Sequence, residues 1–200
     1  MTMQNKGHAY SKSERCEENS SCTVNSKRFL KENLVWPDSN YFFKQGILSL
    51  VEDEQHNALS NGFIFVDFSS YNLKLLSKND WICSIATKDC QVILIADKRM
   101  EALASYWNDM LSNIKGVIYS DDSHIVIFKK IRYAFHGRRY IEKKRKALSL
   151  LELKVLNLIV SGFSVKSIAL KLDMKEKRVY AIKSILRAKM GGRINYLIAG

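Results

Sequence analysis

Leu148-Ser149-Leu150-Leu151-Glu152-Leu153-Lys154-Val155-Leu156-Asn157-Leu158-Ile159-Val160-Ser161-Gly162-Phe163-Ser164-Val165-Lys166-Ser167-Ile168-Ala169-Leu170-Lys171-Leu172-Asp173 is the stretch on which the architecture turns. Ser149 and Glu152 stand three residues apart at the head of an apolar run. That spacing is a capping box, in which the hydroxyl and the carboxylate each take an orphan backbone N–H of a helix start. The helix that begins there carries Leu151, Val155, Leu158 and Ile159 at helical spacing for about three turns, and Gly162 ends it, since glycine accepts the left-handed backbone. A second, short helix spans Ser164 to Leu172, with Val165, Ile168, Ala169 and Leu172 on one face, and Asp173 makes the turn. A third begins near Glu176, where Val179, Ile182, Leu186 and Met190 form the stripe to be buried.

Opposite that stripe lie Lys177, Ala181, Ser184 and Ala188, with Arg178 on one flank and Tyr180 and Arg187 on the other. Small residues ringed by cations let a helix approach base edges while the charges hold phosphate. A solvated face on a three-helix bundle would explain one such helix by default. The short turn, the helix order and the local charge together favour DNA. From Lys129 onward the chain has 19 basic and 4 acidic residues, against 13 basic and 16 acidic before it. A basic module on a mildly acidic body suits a polyanion whose counterions are released on binding. An anionic membrane surface would attract the same charge.

Upstream, Arg138-Arg139 and Lys143-Lys144-Arg145-Lys146 form a basic stretch read as a linker over residues 141–147, between a domain at 29–140 and one at 148–200. The first of these domains alternates short apolar runs with helical patterns, which predicts an α/β domain around a parallel sheet. Phe63-Ile64-Phe65-Val66, ending at Asp67, and Val92-Ile93-Leu94-Ile95, ending at Ala96, are β-branched and aromatic runs suited to strands covered on both faces. Leu34-Val35-Trp36 and Gly116-Val117-Ile118-Tyr119 are weaker candidates for outer strands. Helices are expected over Asn40 to Val51, over the stripe Met100, Leu103, Ala104, Trp107, Met110 and Leu111, and over Ser123 to His136. In the last of these, Ile125-Val126-Ile127-Phe128 would also fit a strand. Asp121-Asp122 at its start suits the positive end of a helix dipole.

Residues 1–28 are polar and poor in large apolar side chains, and they are expected to be a disordered tail. No segment reads as a signal peptide or a membrane span, so a cytoplasmic protein with no membrane partner is expected. Cys16, Cys22, Cys83 and Cys90 lack C-x-x-C spacing, and His8, His56, His124 and His136 are scattered. No metal site, cofactor or catalytic dyad emerges, and an enzyme is not expected.

The pattern Leu148-Ser149-x-x-Glu152-x-x-Val155-Leu156-x-Leu158, then Gly162-Phe163-Ser164-x-Lys166-x-Ile168-Ala169-x-x-Leu172, Lys177-x-Val179 and Lys189-Met190-Gly191 resembles the LuxR/FixJ-type DNA-binding domain. The resemblance implies a four-helix helix-turn-helix domain that binds promoter DNA, with a last helix at about Arg193 to Ile198 supporting dimerisation, and RNA polymerase as a further partner. Asp173 stands where that family usually has Gly or Asn. Carried over by position, Lys177, Arg178, Tyr180, Ala181 and Ser184 would face the major groove, and Lys166, Lys183 and Arg187 the DNA backbone.

The front half resembles the receiver domain that precedes this module in response regulators. Leu34 to Asp38 with Tyr41-Phe42 and Gly46-Ile47 looks like its first strand and helix, and Ile64-Phe65-Val66-Asp67 like the strand that ends in the phosphoacceptor. Its chemistry is largely missing. The acidic pair is reduced to Pro37-Asp38, the hydroxyl position is Ala96 and the lysine position is Ser120, so Asp67 is a vestigial acceptor. Too few residues separate Glu52 from Gly62 for a full strand and helix, which predicts a shortened sheet. Tyr41 to Gly46, Glu101 to Trp107, Ser112 to Val117 and Lys177 to Tyr180 resemble the EcpR/MatA group of enterobacterial fimbrial regulators. That resemblance implies activation of a pilus or surface-adhesion operon by a homodimer. The alternative is an adaptor that heterodimerises with another LuxR-type protein, prompted by Ala181 and Ala188 where polar base readers could stand.

Overall fold

The computed structural model describes residues 35–52, 63–85, 91–140, 145–192 and 194. The expected tail, the segment between Glu52 and Phe63, the linker residues 141–144 and all of the last helix except Ile194 lie outside them.

The front domain is a parallel sheet of four strands among the described residues: β1 (Val35–Trp36), β2 (Phe63–Phe68), β3 (Gln91–Ala96) and β4 (Ile114–Tyr119), in the order β1-β2-β3-β4. The doubly wound order 2-1-3-4-5, with its second strand left out, gives this arrangement. β2 is buried at every position. Its alternate side chains serve two cores. Phe63 and Phe65, with Val35, Ile93 and Ile118, face α1 (Tyr41–Glu52) and α5 (His124–Phe135). Ile64, Val66 and Phe68, with Val92, Leu94 and Val117, face the other side. There they meet α2 (Leu73–Leu76), α3 (Asp80–Ile85) and α4 (Glu101–Met110). A sheet covered on both faces requires the continuous apolar runs seen in the sequence.

Where the sequence suggested helix or strand for Ile125 to Phe128, the chain is helical. The period decides: Ile127, Ile131 and Ala134 reach the core while Ile125 stays 68% exposed, a face that a two-residue repeat could not make. The Asp121-Asp122 pair does something other than cap that helix. Asp122 Oδ2 accepts the Tyr119 backbone N–H at 2.8 Å and the Lys130 Nζ at 2.6 Å, and the N-cap residue is Ser123. The first helix runs one residue later than expected because Asn40 is its cap, its Oδ1 accepting the Phe43 N–H at 3.1 Å. Sequence reading placed nothing between Asp67 and Gln91. The chain there forms a 3₁₀ turn (Ser70–Asn72), α2 and α3, pieces too short to show a period, and Trp81 packs between Trp36, Phe68 and Trp107.

The C-terminal domain contains α6 (Leu150–Val160), α7 (Val165–Lys171) and α8 (Glu176–Lys189). The capping box forms in full at the head of α6: the Glu152 N–H donates to Ser149 Oγ, and the Ser149 N–H donates to Glu152 Oε2. Gly162 takes φ 84°, the left-handed conformation that the sequence demanded just beyond the helix. Asp173 takes φ 48°, and it makes the turn between α7 and α8 without glycine at a modest steric cost.

The stretch read as a basic linker is packed where it is described. Arg145 pairs with Asp121 at 2.8 Å and Glu101 at 3.3 Å and lies 3.9 Å over the Tyr119 ring, while the Leu148 N–H donates to the Ala102 carbonyl. Leu148, Leu153 and Leu156 join the same apolar cluster as Met100 and Leu103 of the front domain.

Candidate nucleic-acid interface

Three features position α8. Val179, Ile182 and Leu186 bury one side of it, as the spacing required, and Met190 closes the stripe just past its end. Ile168 and Ala169 of α7 are buried against the same cluster. Ser164 caps α7, its Oγ accepting the Ser167 N–H at 3.1 Å. The third feature is a polar clamp at the far end. Lys189 Nζ donates to Glu152 Oε2 at 2.8 Å and to the Ala147 carbonyl at 2.8 Å, tying the last turn of α8 to the start of α6. Burial alone would raise the Glu152 carboxyl, but Lys189 and the hydrogen bonds from Ser149 outweigh it and hold the group below its ordinary value.

This frame leaves the other side of α8 open. Lys177, Arg178, Ala181, Ser184 and Arg187 are exposed, Tyr180 is 59% exposed, and Lys183 is half-buried on the flank. Lys166 is exposed on α7, one helix back. All eight residues singled out from the sequence therefore lie on α7 and α8, and seven of them share one helix. Small side chains at Ala181 and Ser184 leave that surface shallow, and the flanking cations supply charge without a carboxylate among the eight. Such a surface can hold a phosphate backbone and admit base edges. The sequence placed Lys189 only in the family pattern and not in a clamp, because that role depends on a partner 37 residues earlier.

The other region singled out lies at the carboxyl ends of β2 and β3. Asp67 is 4% exposed, and its Oδ2 accepts the Asn40 Nδ2 at 3.0 Å. Asp38 is exposed and pairs with Lys44 at 2.7 Å. Ala96 lies buried in the sheet, and Ser120 is exposed. Asp97, beside Ala96, accepts the backbone N–H groups of Ser70, Arg99 and Met100, so it braces two loops. Among the described residues no group of three or more His, Cys, Asp or Glu side chains could hold a metal ion. No described helix is long and apolar enough to cross a membrane. Cys83 is exposed, and Cys16, Cys22 and Cys90 lie outside the described residues.

The family model described as the EcpR N-terminal domain matches residues 8–135. The chain is similar to YqeH of Escherichia coli (strain K12), described as an uncharacterized protein, with 37% identity over 163 residues covering 82% of this chain and 78% of that one. Among solved structures it is similar to two RcsB dimers bound to two parallel DNAs, at 21% identity and a TM-score of 0.48, covering 83% of this chain and 94% of that chain. RcsB from Salmonella enterica serovar Typhimurium bound to promoter rprA gives 19% identity and a TM-score of 0.45, covering 84% and 98%.

Proposed function

This chain belongs to the EcpR family, and from that membership we propose that it is a sequence-specific, DNA-binding transcription regulator. The observation that carries the reading is the open face of α8. Lys177, Arg178, Tyr180, Ala181 and Ser184 would meet the major groove there, while Lys166, Lys183 and Arg187 would hold the phosphate backbone. The protein acts in the cytoplasm as a homodimer, since two recognition helices related by a two-fold axis read two half-sites. It activates a fimbrial or surface-adhesion operon through contact with RNA polymerase.

Aspartyl phosphorylation is not its switch. Phosphoryl transfer to Asp67 would need a bound cation, a hydroxyl and a lysine around the acceptor. Asn40 already engages the carboxylate, and Ala96 and Ser120 occupy the other two positions. A second reading, an adaptor that pairs with another LuxR-type protein, draws on the exposed methyl groups of Ala181 and Ala188, which make no hydrogen bond to a base.

Footprinting the purified full chain alone on the promoter region of a fimbrial operon separates the two. Protection without any other protein supports the regulator. Protection that appears only when a second LuxR-type protein is added assigns the chain to the adaptor role.

A further inference from the structure

A crevice of about 600 Å³ separates α4 of the front domain from α8 of the C-terminal domain. We propose that it binds a small organic anion, a carboxylate or phosphate headgroup carried on a compact apolar body. Its size falls within the range of small-molecule sites, about 300 to 1,000 Å³, and such sites favour domain junctions. Three separate elements line it: Glu101 on α4, Arg145 and Lys146 on the connecting segment, and Ile185, Ala188 and Lys189 on α8. Cations outnumber carboxylates three to one there.

The charges are not equally available. Arg145 is shared between Asp121 and Glu101, and Lys189 is held by Glu152 and the Ala147 carbonyl. Lys146 is exposed and has no hydrogen bond or ion pair among the described residues. It is the group with a charge to give, and a headgroup beside it also feels the fields of Arg145 and Lys189. Ile185, 44% exposed, and Ala188 supply the apolar wall. Glu101 disfavours a continuous run of phosphates along the crevice but leaves room for one headgroup near Lys146. A nucleic-acid strand is therefore the poorer occupant, and a small amphipathic anion the better one.

The location gives such an anion a role. It would touch α8 and the front domain at once and so bias how the recognition helix is held, in a protein whose acceptor site lacks the groups for phosphoryl transfer. This role, unlike the binding site itself, rests on the DNA-binding reading of α8.

The test uses the full chain and three probes in calorimetric titrations: benzoate, phenyl phosphate, and benzyl alcohol as the uncharged control. Benzoate or phenyl phosphate should bind and benzyl alcohol should not, and the stronger of the two anions identifies the headgroup. Lys146→Glu should weaken the anion by on the order of tenfold or more, the usual worth of a charge-assisted contact. Glu101→Gln should tighten it. Unliganded thermal midpoints serve as the folding control, and because the two variants move affinity in opposite directions, a general loss of structure cannot imitate the result. Absence of binding by both anions, or equal affinity in wild type and both variants, overturns the site. Fluorescence anisotropy on labelled promoter DNA, with and without the bound anion, tests the role: a change in DNA affinity supports it, and binding of the anion with DNA affinity unmoved overturns it. If the chain fails to bind DNA at all, the calorimetry still decides the site.

Discussion

Lys130 is a lysine with only 1% of its side chain exposed, and removing its charge is the sharpest test of the front domain. Its Nζ lies 2.6 Å from Asp122 Oδ2, donates to the Val117 carbonyl at 2.7 Å, and sits 4.7 Å from the centre of the Tyr119 ring. Asp122 is itself 8% exposed. Deleting one member of such a pair leaves the other charged in a poor solvent, at a cost of about 3 to 5 kcal/mol. Lys130→Met should fall at the low end, about 3 kcal/mol, because the Tyr119 N–H still donates to the Asp122 carboxylate and Arg145 stays 3.9 Å from it. Asp122→Asn should cost about as much, since it removes the carboxylate that faces the buried ammonium. The double variant removes both charges, and its amide oxygen can still accept from the Tyr119 N–H. It should therefore be less damaging than the two singles summed, with a coupling of about 2 kcal/mol or more. Urea unfolding followed by tryptophan fluorescence reads this domain selectively, because Trp36, Trp81 and Trp107 all lie in it. Additivity of the two single substitutions to within about 0.5 kcal/mol would refute the reasoning, since uncoupled residues behave that way.

Arg178→Ala should lower affinity for the cognate site by about 1 to 3 kcal/mol and flatten the preference among site variants, whereas Arg187→Ala should weaken cognate and random DNA alike and reduce the salt slope by about one unit. Equilibrium titrations of both variants on both DNAs at several salt concentrations make the comparison, and identical behaviour of the two would make Arg178 a phosphate clamp. Incubation with acetyl phosphate and Mg²⁺ should leave intact mass and DNA affinity unchanged; a stoichiometric phosphoryl adduct on Asp67 would sink that expectation. Glu152 has a folded value below its unfolded one, so its contribution to stability is full above the ordinary value of 4.5 and is lost as pH falls through the folded value. Glu152→Gln should therefore flatten the acid limb of the thermal midpoint below about pH 4.5, and an unchanged limb would show that protonation of Glu152 does not shape it.

Much of the helical domain was legible because its signals are local. The capping box, the left-handed Gly162 and the three- and four-residue stripes each involve groups within one or two turns, where backbone geometry leaves few alternatives. The inner strands were legible for a related reason: burial on both faces demands the continuous apolar run that β2 and β3 display. The weaker outer candidates also formed, β1 at Val35–Trp36 with Leu34 outside the described residues and β4 beginning two residues before Gly116. Between Asp67 and Gln91 a 3₁₀ turn and two helices of four and six residues escaped notice, since neither helix is long enough to repeat a period clearly.

From the sequence alone came the two-part architecture of a parallel α/β body and a helical module, the caps and turns of that module, and the open strip on α8. All of these follow from periodicity and from hydrogen bonds between near neighbours in the chain. Only the tertiary structure decided what the charged residues between the domains do. Arg145 reads as one more linker cation and Asp122 as a helix-dipole partner, yet each is engaged by a group 8 to 44 residues away. The strength of such a contact depends on burial and on the direction of the opposing group, and neither is encoded in local spacing. The same holds for the crevice between α4 and α8, whose walls come from three segments brought together only by the docking of one domain on the other.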